Sequence, residues 1–128
     1  MRVLLDTHAF LWWIMNDERL SDPSRKVISQ AENQIFFSAA SAWEISIKCQ
    51  LGKLELPGKP EPFISEQVQV NDFTALPINL THALQAYDLP ALHRDPFDRM
   101  LIIQSRIEKL PVVTMDEKIK QYDVETIW

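Results

Sequence analysis

Four acidic residues carry the most chemical information in this sequence: Asp6, Glu44, Asp98 and Asp116. Asp6 closes the short apolar run Val3-Leu4-Leu5, and Asp116 closes a second one, Val112-Val113-Thr114-Met115. Short continuous apolar runs fit strands buried on both faces of a parallel sheet. In such sheets the ligand crevice lies beyond the carboxyl ends of the strands, so these two strands deliver a carboxylate each to one edge. Glu44 lies early in a helix expected from Ser41 to about Leu51, three residues after Ser41 as in a capping box. Asp98 lies in the first turn of the helix that follows Asp95-Pro96. A helix that follows a strand begins at the edge where the strand ends, so all four acids can converge.

Convergence without compensation is unfavourable. Two like charges about 4 Å apart repel by about 4 kcal/mol at an effective dielectric near 20. Hard oxygen ligands around one point are what Mg²⁺ or Mn²⁺ requires. Such a site lowers the pKa of a bound water and clamps a phosphate oxygen, which suits in-line attack on a phosphodiester. No Ser, Cys or His nucleophile is needed. Each acid alone also has an ordinary reading. Acids are favoured in first helical turns, Asp6 can be a turn residue, and Asp116 can cap a short helix over Glu117–Gln121. Capping alone does not explain acids at the exits of both apolar strands.

The elements that must position these groups follow from sparse punctuation, two glycines and eight prolines. After the Val3–Leu5 strand, Thr7–Met15 is a short apolar helix. Ser21-Asp22-Pro23 starts another. Ile35–Ser38 is the second strand, and Gly52 ends the helix that begins at Ser41. Leu54–Pro62, with three prolines and a glycine, is expected to be a flexible loop. Phe63–Val70 is a helix, Phe73–Leu76 a strand, Thr81–Leu89 a helix and Phe97–Lys109 the longest helix. Val112–Met115 and an edge strand within Val124–Trp128 complete the series. Strands alternating with helices predict an α/β fold, a mostly parallel sheet of about five short strands with helices on both faces. Residues 1–128 read as one domain.

Length and charge narrow the classes. A chain of 128 residues with 46% hydrophobic and 24% charged residues suits one globular core. It has no apolar run near the roughly 20 residues of a membrane span. Arg2-Val-Leu-Leu meets Asp6 before a signal-peptide core can build, and Cys49 stands alone, which leaves no internal disulfide or cysteine zinc cage. A reduced, cytoplasmic setting is the expectation. The net charge of −5 argues against a simple basic nucleic-acid binder, unless cations held by the acids restore positive charge where a phosphate sits.

Four blocks resemble one known family. Val3-Leu4-Leu5-Asp6-Thr7-His8 is similar to the opening of PIN-domain nucleases. Ser41-Ala42-Trp43-Glu44-Ile45-Ser46-Ile47-Lys48, followed by Gly52-Lys53-Leu54, is similar to their second acidic helix. His93-Arg94-Asp95-Pro96-Phe97-Asp98-Arg99-Met100-Leu101-Ile102 and Thr114-Met115-Asp116 resemble the third and fourth acidic motifs. The likeness spans nearly the whole chain and points to VapC-type toxins of bacterial toxin–antitoxin pairs. It implies a PIN-like fold and a Mg²⁺- or Mn²⁺-dependent endoribonuclease that leaves 5′-phosphate ends. It also implies a homodimer held inactive by an antitoxin protein. Carried over by position, Asp6, Glu44, Asp98 and Asp116 form the acidic tetrad, with Asp6 and Asp98 as direct metal ligands. Glu44 and Asp116 bind metal, hold its waters or orient the attacking water. Thr7 supports the site through its hydroxyl. Asp95 either caps a turn or joins the metal shell.

Nearby residues have two readings each. Arg94 and Arg99 could hold RNA phosphates, or Arg99 could pair with Asp95. Lys48, Lys53 and Lys59 could form a basic rim or a solvated surface. His8 could assist proton transfer or pack on its helix. Trp12, Trp13 and Trp43 could stack unpaired bases or serve the core and protein contacts. Two rival functions stand beside the nuclease. A phosphoacceptor receiver domain also gathers acids around Mg²⁺, but needs an acidic pair after the first strand and an acceptor Asp ending the third. A non-catalytic binding module on a PIN scaffold would keep the acids for packing or for seating a partner.

Overall fold

The computed structural model describes all residues from Met1 to Trp128. Five strands, β1 (Arg2–Leu5), β2 (Gln34–Ser38), β3 (Thr74–Leu76), β4 (Val112–Val113) and β5 (Thr126–Ile127), form one sheet in the order β3-β2-β1-β4-β5. Every neighbouring pair is parallel. Six helices connect them: α1 (Thr7–Ile14), α2 (Asp22–Ser29), α3 (Ala39–Gln50), α4 (Pro60–Val70), α5 (Leu80–Leu84) and α6 (Pro96–Glu108). The α/β expectation holds, and the sheet is parallel throughout.

Side-chain alternation along the strands shows why both faces are covered. Val3 and Leu5 of β1, with Ile35 and Phe37 of β2, join residues of α1, α2, α3 and α4 in one core cluster. Leu4 and Phe36, one position out of phase, join Leu101 of α6 on the opposite face. Successive strand residues point to opposite faces, so fully apolar β1 needs both layers. The direction of travel also matters. The chain moves from β1 to β2 to β3 in one direction, then returns across the sheet to β4. Right-handed crossovers put helices of opposite travel on opposite faces. The order therefore reverses between β1 and β4, and that switch point is where a parallel sheet opens a crevice.

Several boundaries differ from the sequence expectation. Helix α3 begins at Ala39, not after Ser41, because Ser38 at the end of β2 is already the cap and accepts from the Ala40 amide at 3.0 Å. Glu44 therefore stands in the second turn and makes no capping box. The Leu54–Pro62 loop is shorter than expected, since Pro60 and Pro62 lie inside the first turn of α4, where a missing N–H breaks no helical bond. The expected Thr81–Leu89 helix is α5, capped by Asn79, followed by a 3₁₀ turn over Gln85–Tyr87. The Glu117–Gln121 helix is a single 3₁₀ turn over Ile119–Gln121. Helix α3 closes through Gly52 at φ 73°, a conformation that glycine adopts without a Cβ penalty.

Candidate active site

Asp6 leaves β1 and immediately caps α1, its Oδ1 accepting from the Ala9 amide at 2.7 Å. It is nearly inaccessible to solvent. Burial pushes its carboxyl above the usual range, opposed by bonds from the Thr114 hydroxyl and the Ala9 amide. Thr114 is buried just past β4, and its Oγ1 also accepts from the Asp116 amide at 3.0 Å. One threonine thus braces the exits of β1 and β4. Because β4 is only two residues long, Asp116 is reached through this turn and not at the strand end itself.

Thr7 Oγ1 stands 2.7 Å from Glu44 Oε1 and 2.9 Å from Ser41 Oγ. An ionised carboxylate can only accept, so the Thr7 proton goes to Glu44. The other Glu44 oxygen accepts from Lys48 Nζ at 2.6 Å, one turn further along α3. That bond raises the Lys48 amine above its ordinary value. Glu44 is buried with both oxygens held.

Asp95 is the N-cap of α6, and its Oδ1 accepts from the Phe97 and Asp98 amides at 2.9 Å. Asp98 follows in the first turn. Burial is the main force on its carboxyl, joined by repulsion from Asp95, Asp6, Glu44 and Asp116, and together they push it up to about 8. All four other carboxylates act on Asp98, which is the physical signature of negative charge concentrated at one point. Oxygen donors of this kind suit a hard divalent cation, and Asp98 and Asp116, with His93, bring donor atoms within 4.8 Å of one another.

His93 is the residue that sequence reasoning passed over. It is buried, and its Nε2 lies 3.1 Å from Asp98 Oδ2 and 3.0 Å from Asp116 Oδ2. Its place in the block before Asp95-Pro96 was visible, but its contact with Asp116 depends on the tertiary fold.

The basic residues divide. Lys48 and Lys53 line a hollow beside Thr7 with His8, Trp12 and Arg19. Arg94 is exposed in the loop before α6, and Lys59 is exposed at the start of α4. Arg99 forms no pair with Asp95. Its guanidinium donates to the carbonyls of Ala86, Leu89, Pro90 and His93 at 3.0–3.3 Å, so it fastens a loop rather than facing the crevice. His8 is exposed and stacks on Trp12 at 5.3 Å. Trp12 belongs to the core, Trp13 donates to Asn71 Oδ1 at 3.0 Å, and Trp43 is 60% exposed.

A family model described as the PIN domain matches residues 3–125. The chain belongs to the PIN domain family. The acids of this PIN domain sit where its sheet order reverses. Ribonuclease VapC16 of Mycobacterium tuberculosis (strain ATCC 25618 / H37Rv) is 32% identical over 59 residues. The match spans 46% of this chain and 42% of that relative, less than half the length of either. A chain in the crystal structure of VapBC2 from Rickettsia felis bound to a DNA fragment from their promoter superposes with a TM-score of 0.70. At 13% identity, over 98% of this chain and 97% of that one, it shares the PIN fold. The receiver reading ends here: β3 runs out at Leu76 and Pro77, without an acceptor aspartate.

Proposed function

We propose that this PIN domain, one domain over residues 1–128, is a VapC-type toxin: a metal-dependent endoribonuclease of a toxin–antitoxin pair. The observation that carries the reading is a buried Asp98 with Asp95, Asp6, Glu44 and Asp116 around it; burial first, then their repulsion, pushes that carboxyl up to about 8. The matched relative is named a ribonuclease, and the fold neighbour comes from a VapBC2 complex; both names support it.

Asp6, Asp98 and Asp116 would hold Mg²⁺ or Mn²⁺, with Glu44 beside them. A bound divalent ion supplies positive charge to the phosphate and makes a nearby water more acidic. Glu44, fixed by Thr7 and Lys48, orients the attacking water and receives its proton. The water oxygen bonds to phosphorus as the P–O3′ bond breaks, and the departing 3′ oxygen takes a proton from solvent, which gives a 5′-phosphate and a 3′-hydroxyl. Lys53, exposed in the hollow beside Thr7, and exposed Arg94 attract the RNA backbone, and Lys48 screens the rim. Leu80, Leu84, Tyr87 and Trp43 are large apolar side chains left exposed, of the kind that partners cover, as expected of a cytoplasmic homodimer with an antitoxin.

EDTA is expected to abolish RNA cleavage by the purified chain, and Mg²⁺ or Mn²⁺ to restore it. Asp6→Asn and Asp98→Asn should each lower cleavage at least a hundredfold, on the order of losing a group that stabilises the transition state. Cleavage by either variant at the parent rate would end the assignment. The Lys48–Glu44 ion pair favours one alternative, a PIN scaffold kept for binding with its acids neutralised internally. That alternative predicts no metal-dependent cleavage of any RNA.

A further inference from the structure

His93, Asp98 and Asp116 place three donor atoms within 4.8 Å of one another, which at first sight suggests a His-Asp-Asp metal trio. The hydrogen bonds of the imidazole argue otherwise. The Asp95 amide points at His93 Nδ1 at 3.2 Å. An amide N–H can only donate, so Nδ1 carries the lone pair and the ring proton sits on Nε2. Metal-bound imidazoles show the opposite arrangement, with the second nitrogen donating to a carboxylate, a carbonyl or water. Here that nitrogen accepts, and Nε2–H faces two carboxylate oxygens at 3.1 and 3.0 Å. That hydrogen goes to Asp116 Oδ2, while Asp98 Oδ2 lies beside the same nitrogen without a hydrogen bond of its own.

Resting on the metal-site reading above, we propose that His93 is a positioning residue. Its Nε2–H holds Asp116, from beyond β4, beside Asp98, from the first turn of α6, and His93 is not itself a metal ligand.

The surroundings hold the ring in place. The His93 amide donates to the Tyr122 hydroxyl at 2.8 Å, and that hydroxyl donates to the Pro90 carbonyl at 2.5 Å. The His93 carbonyl accepts from Arg99 at 3.1 Å. To present a lone pair from Nε2, the ring would have to break its bond with Asp95, the residue that caps α6. Leaving imidazole out keeps the donor set all-oxygen, which favours Mg²⁺ or Mn²⁺ over the softer ions that imidazole attracts.

The test uses residues 1–128, Mn²⁺ titrations followed by calorimetry, and nitrogen NMR of the His93 ring with and without saturating Mg²⁺. The ring is expected to remain protonated on Nε2 in both states. His93→Leu, which removes the donor, should weaken Mn²⁺ binding about tenfold or more, and His93→Gln, which restores an N–H, should recover most of it. A ring that loses its Nε2 proton when Mg²⁺ binds overturns the proposal. So does Mn²⁺ binding by His93→Leu at parental strength, or by His93→Gln no better than by His93→Leu. If His93→Leu does not fold, the ring state of the parent decides. A parent chain that binds no Mn²⁺ overturns the metal-site reading and this proposal with it, whereas the other adverse outcomes overturn the proposal alone.

Discussion

Asp98 holds its proton far more tightly than an exposed aspartate, because burial and four neighbouring acids all oppose its charge. The consequence for stability has a definite sign. In the unfolded chain this carboxyl titrates near 3.8, and in the folded one at about 8. Its contribution is therefore fully present below about pH 4 and is lost as pH rises through 8. The metal-free protein should melt at a lower temperature at pH 8 than at pH 6, and added Mg²⁺ should reverse much of the loss by binding only the folded state. Asp98→Asn should flatten this slope; a melting profile as steep as the parent's would refute the explanation. The positions of Asp6, Asp98 and Asp116 were legible in the sequence, since each lies just beyond an apolar run or at a helix start. The parts played by His93, Ser41 and Thr114 were not, because each acts through a residue more than twenty positions away. Composition and spacing do not register such partners.

At the scale of elements, caps fix where the acids point. Asp95 satisfies two amides of α6 and so sets the turn that carries Asp98. Asp95→Ala should lower unfolding stability by about 0.5–2 kcal/mol, whereas Asp95→Asn should stay within a few tenths, as N-cap substitutions usually do. Chemical denaturation measures both. Equal losses in the two variants would assign Asp95 a purely electrostatic role. The start of α3 was misplaced from sequence because Ser38 and Ser41 are both competent caps. The winner was set by β2, which runs to Ser38 and leaves Ser41 free to face Thr7. In the same way Pro60 and Pro62 looked like loop residues, yet prolines in a first turn are equally good helix starters. Local chemistry admitted both outcomes, and packing chose.

Across the whole molecule, the sheet order makes β1 the shared wall of both core layers. Leu4 is fully buried against Phe36, Leu76, Leu101 and Leu110 on one side, while its neighbours Val3 and Leu5 fill the other. Leu4→Ala should cost about 2–5 kcal/mol, the range for a large buried side chain cut to Ala. A loss under about 1 kcal/mol would mean that the layer repacks freely. The α/β pattern was readable because strand runs and helices alternate so regularly. The reversal between β1 and β4 was less so, since no residue spells out which strand lies beside which. The far edge of the sheet carries a last consequence. The backbone of β4 leans on β5, with the Val112 amide bonded to the Glu125 carbonyl and the Thr114 amide to the Ile127 carbonyl. Cutting out that short hem would erase none of the acids, yet it would unseat the shelf from which Asp116 reaches its companions, so the acid cluster depends on a strand that contributes no side chain to it.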